Sequence, residues 1–157
     1  MRRGEVDRLW RGAYAAPVPD TAQGTTTRLV QRSVAACLSA HDVAVSHLAA
    51  ATIRGWPWWA DTPRPCVTTR STGLGVVGDV HVHRTLLPAG DAVRSDVGPV
   101  TSGARTVVDI AREFGLEAGL VTADAALRSG GLTRDELAAA VGRARGMPGL
   151  RAVRDLA

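Results

Sequence analysis

The segment from Pro99 to Gly115 constrains the fold most strongly, because it carries signals for both ends of a helix. Thr101 or Ser102 can accept hydrogen bonds from the first-turn amides, and Gly115 can adopt the left-handed conformation that ends a helix. Between these signals an apolar stripe recurs at helical spacing, formed by Val107, Ile110, Ala111 and Phe114. The segment therefore predicts an amphipathic helix of about three turns.

Before this helix the sequence shows patterns typical of both strands and helices, and after it only patterns typical of helices. Before it we predict helices over 26–40 and 46–54, strands over 66–70 and 80–84, a short apolar connection over 43–45 and a loop or irregular strand over 86–98. In the first of these helices, Leu38 is expected to point inward with Leu29 and Cys37. These elements predict an α/β (α+β) fold, with several helices packed on a small mixed sheet.

Three further helices are expected after Gly115, so the C-terminal third is predicted to be all helical. The first shows apolar residues at helical spacing, namely Leu116, Leu120, Ala123 and Leu127. The second begins at a capping box formed by Thr133 and Glu136. A short last helix is expected over 150–156.

The composition narrows the classes of function. All 19 basic residues are arginine, which excludes lysine-dependent sites such as a Walker phosphate loop or a Schiff base. A genome biased toward arginine and alanine codons would explain this, although guanidinium groups also suit phosphates. The net charge of +4 permits nucleic-acid binding without establishing it. No apolar run reaches the roughly 20 residues of a membrane helix, and no signal peptide opens the chain, so we expect a cytoplasmic protein without a membrane partner. Cys37 and Cys66 are expected to be buried thiols.

The first 15 residues combine arginines, an aromatic residue and two glycines that would allow tight bends. A short β-ribbon of this composition could form a wing that contacts DNA phosphates through Arg2, Arg3, Arg8 and Arg11. The alternative is a solvated N-terminal tail, which composition alone favours.

Histidines and tryptophans supply the other candidate sites. His81 and His83 alternate along a predicted strand, so they share a face that could hold a metal ion. Because only Asp79 or Asp96 offers a further ligand nearby, we expect exposed histidines and no metal. The cluster over 56–59 contains three tryptophans, which could bind a partner or cover the core; the second role is favoured.

Six polar residues mark the two helices best defined by the sequence. Ser46 is expected to cap the helix over 46–54, and His47 to be a local hydrogen-bond partner. The other four residues are Thr101, Arg105, Thr106 and Asp109. Capping of the helix and an ion pair between Arg105 and Asp109, four residues apart, explain why these residue types occur here. We find no readable nucleophile–base pair, so we expect a protein that is not an enzyme and uses no cofactor.

Four motifs in this order carry a resemblance to a known family. They are Arg11–Tyr14 after a basic run, Val45–Ala50 with Gly55 beyond, the strand Val80–Arg84, and Pro99–Ala111. Together they resemble actinobacterial members of the AbiEi-type antitoxin family of type IV toxin–antitoxin systems. The resemblance covers roughly residues 2–157. It implies that residues 1–15 are the remnant of a winged-helix wing and that 16–157 form an antitoxin domain, mixed α/β over 25–98 and helical over 99–157.

The resemblance also implies a function and shows two departures. A family member regulates transcription by binding DNA through a winged helix-turn-helix and antagonises a nucleotidyltransferase-like toxin. Here about three helices expected before Arg2, including the recognition helix, are missing, so contacts to phosphates are expected rather than base reading. The endonuclease-like domain that follows in many relatives is also missing. The alternative is therefore the accessory N-terminal domain of a very-short-patch-repair-like endonuclease protein, truncated before its catalytic half.

Overall fold

The computed structural model describes residues 6–70, 78–147 and 149. These residues form seven strands and five helices. The strands are β1 (Asp7–Trp10), β2 (Ala13–Ala15), β3 (Val43–Val45), β4 (Cys66–Thr69), β5 (His81–Arg84), β6 (Ala92–Ser95) and β7 (Gly98–Thr101). The helices are α1 (Ala22–Leu38), α2 (His47–Ile53), α3 (Gly103–Phe114), α4 (Leu116–Arg128) and α5 (Arg134–Arg143).

Five strands form one mixed sheet in the order β5-β4-β3-β7-β6. The central strand β3 pairs antiparallel with β4 and parallel with β7, while β4 and β5 run parallel and β6 and β7 antiparallel. One expectation is corrected here: residues 43–45 are the central strand of the sheet rather than a connection. The segment over 86–98, for which a loop or an irregular strand was expected, contains the edge strand β6. The expected mixed α/β class is confirmed.

Residues 7–15 form the ribbon that was one of the two alternatives, and not the solvated tail that composition alone favoured. Strands β1 and β2 pair antiparallel, and Gly12 takes the positive φ of 82° that the turn between them requires. The ribbon lies against α1, and Trp10 is partly buried at the core.

Helix α1 begins four residues earlier than expected, because Thr21 caps it by accepting a hydrogen bond from the amide of Gly24. The helix buries Leu29 and Cys37 as expected. Leu38 was placed on the wrong face, since 71% of it is exposed. The small residues Ala35 and Ala36 are buried instead, which lets α1 approach the sheet closely.

The C-terminal helices follow the sequence pattern closely. In α3 every residue from Ala104 to Ala111 is buried, the Ser102 side chain caps the first turn, and Gly115 at φ 93° ends the helix. The capping box of α5 is formed in full. Leu120 of α4 is exposed, because small residues such as Ala118, Gly119 and Ala123 make the buried face. The helix expected over 150–156 lies outside the described residues.

The core extends from the sheet into the contact between α3 and α4. Trp56 is buried and donates from Nε1 to the hydroxyl of Ser129, and Trp58 is half-buried. These two residues cover the core, as the favoured interpretation expected, whereas Trp59 is half exposed. Cys37 and Cys66 are buried free thiols. In the described part of the chain, no helix combines the length and the apolar character needed to cross a bilayer.

Candidate functional site

The turn between β3 and α2 brings His47 into the interior. Strand β3 ends at Val45 and α2 begins at His47, so a single residue reverses the chain. His47 makes this reversal with a φ of 53°, a left-handed conformation that is costly for a residue other than glycine. Such strain persists only where the surrounding structure holds the residue in place, which marks this turn as a candidate functional position.

Ser46 orients His47 rather than capping the helix. Its hydroxyl lies 2.8 Å from Nδ1 of His47, and the side chain makes no capping hydrogen bond to the first turn of α2, which corrects the expected role. The left-handed residue that follows changes the direction of the first-turn amides, and the adjacent imidazole satisfies the hydroxyl instead. The expected local hydrogen bond of His47 is confirmed. Ser46 is 0% exposed and His47 3%, so almost none of the surface of this Ser–His pair reaches bulk solvent.

His47 packs against β5 through a stacked pair of imidazoles. Its ring centroid lies 3.9 Å from that of His83, and the edge of Phe114 approaches from the other side. Burial, followed by the positive charges of Arg105 and Arg112, holds the pKa of His47 well below its usual value. The imidazole is therefore neutral at physiological pH.

The two histidines of β5 are not freely exposed, which corrects the sequence-based expectation. They stack on each other with centroids 4.3 Å apart, and both are half-buried. Burial and the neighbouring His47 lower the pKa of His83 to about 3. Glu113 near the end of α3 reaches the same place, with Oε1 3.6 Å from Nδ1 of His81. Sequence reasoning sought a third group among nearby aspartates and missed Glu113; Asp79 instead pairs with Arg32.

A buried charge network lies beside the histidines. Arg105 donates from Nε to Asp109 over 2.8 Å, as predicted, and from Nη1 to Asp91 over 3.1 Å. Arg112 and Arg143 contact the remaining oxygens of the two carboxylates at 3.2 and 3.1 Å. Burial raises the pKa of Asp109, while Arg105 and Arg112 oppose that shift. The part played by Asp91 could not be predicted from the sequence, because the 86–98 segment has no regular pattern.

Thr101 and Thr106 form a buried pair between β7 and α3. Their hydroxyl oxygens lie 2.8 Å apart, and the Thr106 hydroxyl also donates to the carbonyl of Thr101 over 3.2 Å. Both residues are 0% exposed. They join the strand to the helix and contribute to the site by fixing the start of α3.

A cavity of about 260 Å³ opens where the histidine cluster meets the charge network. Its lining includes His47, His83, Asp109, Arg112, Glu113 and Met147. Neutral imidazoles and a carboxylate can bind a metal ion or accept protons there, whereas Asp109 is already paired with two guanidinium groups.

The expected DNA-binding arginines lie on a different part of the molecule. Arg8 and Arg11 are exposed on the ribbon, and Arg8 donates from Nε to the carbonyl of Trp10. Arg2 and Arg3 lie outside the described residues. The ribbon residues are therefore an exposed candidate surface, whereas the predicted polar residues of α2 and α3 are buried.

Comparisons of the chain with protein-family models, with curated proteins and with solved structures found no match in any of the three.

Proposed function

We propose that this protein is a cytoplasmic DNA-binding regulator of the antitoxin type, without enzymatic activity, which holds DNA phosphates with its N-terminal ribbon and antagonises a nucleotidyltransferase-type toxin. One observation carries the DNA part of this proposal. The ribbon is a formed two-stranded hairpin that presents Arg8 and Arg11 to solvent. The toxin part rests on the order and spacing of the four motifs that resemble the AbiEi-type family.

The geometry of the ribbon suits a phosphate backbone. Arg8 lies directly across the ribbon from Tyr14, and both residues are exposed, so a guanidinium and a phenol project from paired positions. Arg11 stands beside Gly12 at the tip of the hairpin. Arginine and tyrosine donate hydrogen bonds to phosphate oxygens without reading base edges.

The packing of the ribbon supports the same role. Trp10 is partly buried against the core, and β1 contacts α1. A hairpin held in this way keeps its arginines at a fixed orientation, which reduces the conformational entropy lost on binding. Arg8 is further restrained by its hydrogen bond to the carbonyl of Trp10 over 3.3 Å.

The salt dependence of DNA binding tests the ribbon. The variant Arg8→Ala/Arg11→Ala should bind duplex DNA more weakly, and the slope of log K against log salt should flatten by about 1.8 for two lost phosphate contacts. The matched control is Arg134→Ala/Arg145→Ala, which removes the same charge from exposed positions in the helical part. Equal slopes of log K against log salt for the two double variants would show that the ribbon does not contact DNA.

A growth assay tests the antitoxin part separately. Expression of a nucleotidyltransferase encoded beside this gene should arrest growth, and co-expression of the full chain should restore it. Continued growth arrest, with both proteins present at normal levels, would refute the antagonism of the toxin without affecting the test of DNA binding.

A further inference from the structure

A group of metal-ligating side chains forms where the middle of β5 meets the end of α3. His81, His83 and Glu113 each offer one ligand atom, and the three atoms all lie within 4.8 Å of one another. Nδ1 of His81 and Oε1 of Glu113 lie 3.6 Å apart. No part of the DNA-binding proposal depends on this group.

Two regular elements fix the positions of these ligands. The histidines alternate on β5, so they share one face of the sheet, and their partners on β4 are Cys66 and Thr68. Glu113 belongs to the last turn of α3, a helix whose preceding turns are fully buried. Ligands on a strand and a helix are held more precisely than ligands on loops.

A second observation points independently to a ligand. Among the described residues, Nε2 of His83 is buried and has no hydrogen-bond partner. A buried polar atom without a partner costs about 1–3 kcal/mol, so native structures rarely leave one. The pKa of His83, lowered to about 3 mainly by burial, keeps the imidazole neutral, which is the form that coordinates metals.

We propose that His81, His83 and Glu113 bind a divalent transition-metal ion of the Zn²⁺ class. Two imidazoles and one carboxylate are a common ligand set for such ions, and they leave a fourth position for water or another ligand. His83 and Glu113 both line the cavity of about 260 Å³, which provides room at that fourth position.

Side-chain movements are needed to bring the ligands to bonding distance. Ligands of a tetrahedral zinc ion lie about 3.3 Å apart for bonds of about 2.0 Å, so the distances within the group, now no more than 4.8 Å, must shorten by up to about 1.5 Å. The side chains of His81 and Glu113 are 41% and 22% exposed, which leaves them able to move. Arg64 pairs with Glu113, but its side chain is 43% exposed and can turn toward solvent.

A second ligand set shares His83 and is less suitable. The ligand atoms of His47, Cys66 and His83 also lie within 4.8 Å of one another, but His47 and Cys66 are buried. Burial raises the pKa of the Cys66 thiol to about 12, so the thiolate that binds metal is costly to form. Because Nδ1 of His47 faces the Ser46 hydroxyl, only Nε2 of that ring could bind an ion. Glu113 supplies the negative charge that this second set lacks.

Zinc titration of the untagged full-length chain, stripped with a chelator, tests the proposal. Competition with a chromophoric chelator should show one tight Zn²⁺ site in the wild type. Glu113→Gln and His81→Ala should each weaken binding by about tenfold or more. His41→Ala is the matched control, because His41 is an exposed histidine away from the cluster, and its affinity should equal that of the wild type.

Two further measurements, of melting temperature and of circular dichroism, complete the test. Zn²⁺ should raise the melting temperature of the wild type and of Cys66→Ser, but not that of Glu113→Gln, because only a bound ligand stabilises the folded state. Circular dichroism verifies that each variant is folded. Wild-type affinity no higher than that of Glu113→Gln would overturn the site. Binding lost in Cys66→Ser and kept in Glu113→Gln would overturn it as well and assign the ion to the buried set.

Discussion

The guanidinium of Arg105 donates from Nε to Oδ2 of Asp109 over 2.8 Å, and the two residues are only 4% and 1% exposed. The same guanidinium bonds to Asp91, which is 5% exposed. One buried cation therefore bridges two buried carboxylates from separate parts of the chain, and Arg112 and Arg143 supply further positive charge. This arrangement ties the irregular segment before β6 to the helix α3.

Replacing Arg105 should be severely destabilising. Arg105→Met retains much of the volume but leaves two buried carboxylates without their main partner, so the free energy of unfolding should fall by about 3–5 kcal/mol. Urea denaturation measures the loss. The control Arg128→Ala breaks an ion pair whose arginine is 74% exposed and should cost about 0–1 kcal/mol. Similar small losses in both variants would contradict the importance of the buried network.

Acid should weaken the metal-free protein before its carboxylates titrate. The folded-state pKa values of His47 and His83 lie below the unfolded value of about 6.5. Unfolding therefore takes up protons, and the stability from the neutral imidazoles is complete above pH 6.5 and is lost as pH falls toward 3. The free energy of unfolding should fall by roughly 2 kcal/mol between pH 7 and pH 5 on account of His83, and His47 should lower it in the same direction.

Denaturation midpoints in chelator-treated samples, measured at pH 7, 6 and 5, check this expectation. His41→Ala should keep the same dependence, since that histidine is exposed. A free energy of unfolding that stays flat from pH 7 to pH 5 would show that the two rings are not held neutral by burial.

Trp56 packs so closely against Gly103 and Gly131 that neither glycine should tolerate a side chain. A methyl group at Gly131 would lie 2.7 Å from Cζ2 of Trp56, which is too close for carbon atoms. Gly131→Ala should therefore cost about 1–3 kcal/mol and alter tryptophan fluorescence. Gly142→Ala is the control. Nothing lies within 4 Å of a methyl group at that position in α5, so alanine should raise the free energy of unfolding by about 0.5–1 kcal/mol. Equal effects of the two substitutions would refute the close packing.

The elements predicted correctly are those whose signals are local. Helix α3 could be predicted because Ser102, Gly115 and the apolar stripe all lie within one segment. Strand β3 could not, because three apolar residues show no periodicity and their role comes from pairing with β4 and β7. The inward position expected for Leu38 is wrong for a related reason: buried alanines fill the close contacts of α1, and hydrophobicity alone does not reveal this.

The candidate site was harder to predict because its members come from distant segments. The ion pair between Arg105 and Asp109 follows from helical spacing, whereas Asp91 joins it only through the tertiary fold. His81 and His83 were recognised as a possible pair of ligands. Their third partner, Glu113, lies on a helix whose position against β5 has no signature in the sequence.

Fluorescence anisotropy of the full chain with its own upstream DNA tests the central claim most directly. The comparison is a shuffled duplex of the same length and composition, at low and near-physiological salt. The ribbon should bind both duplexes with similar affinity at low salt, because it contacts phosphates and not base edges, and the affinity should fall steeply as salt rises. No binding to either duplex at low salt, or an affinity that does not fall as salt rises, would contradict the proposed DNA contact.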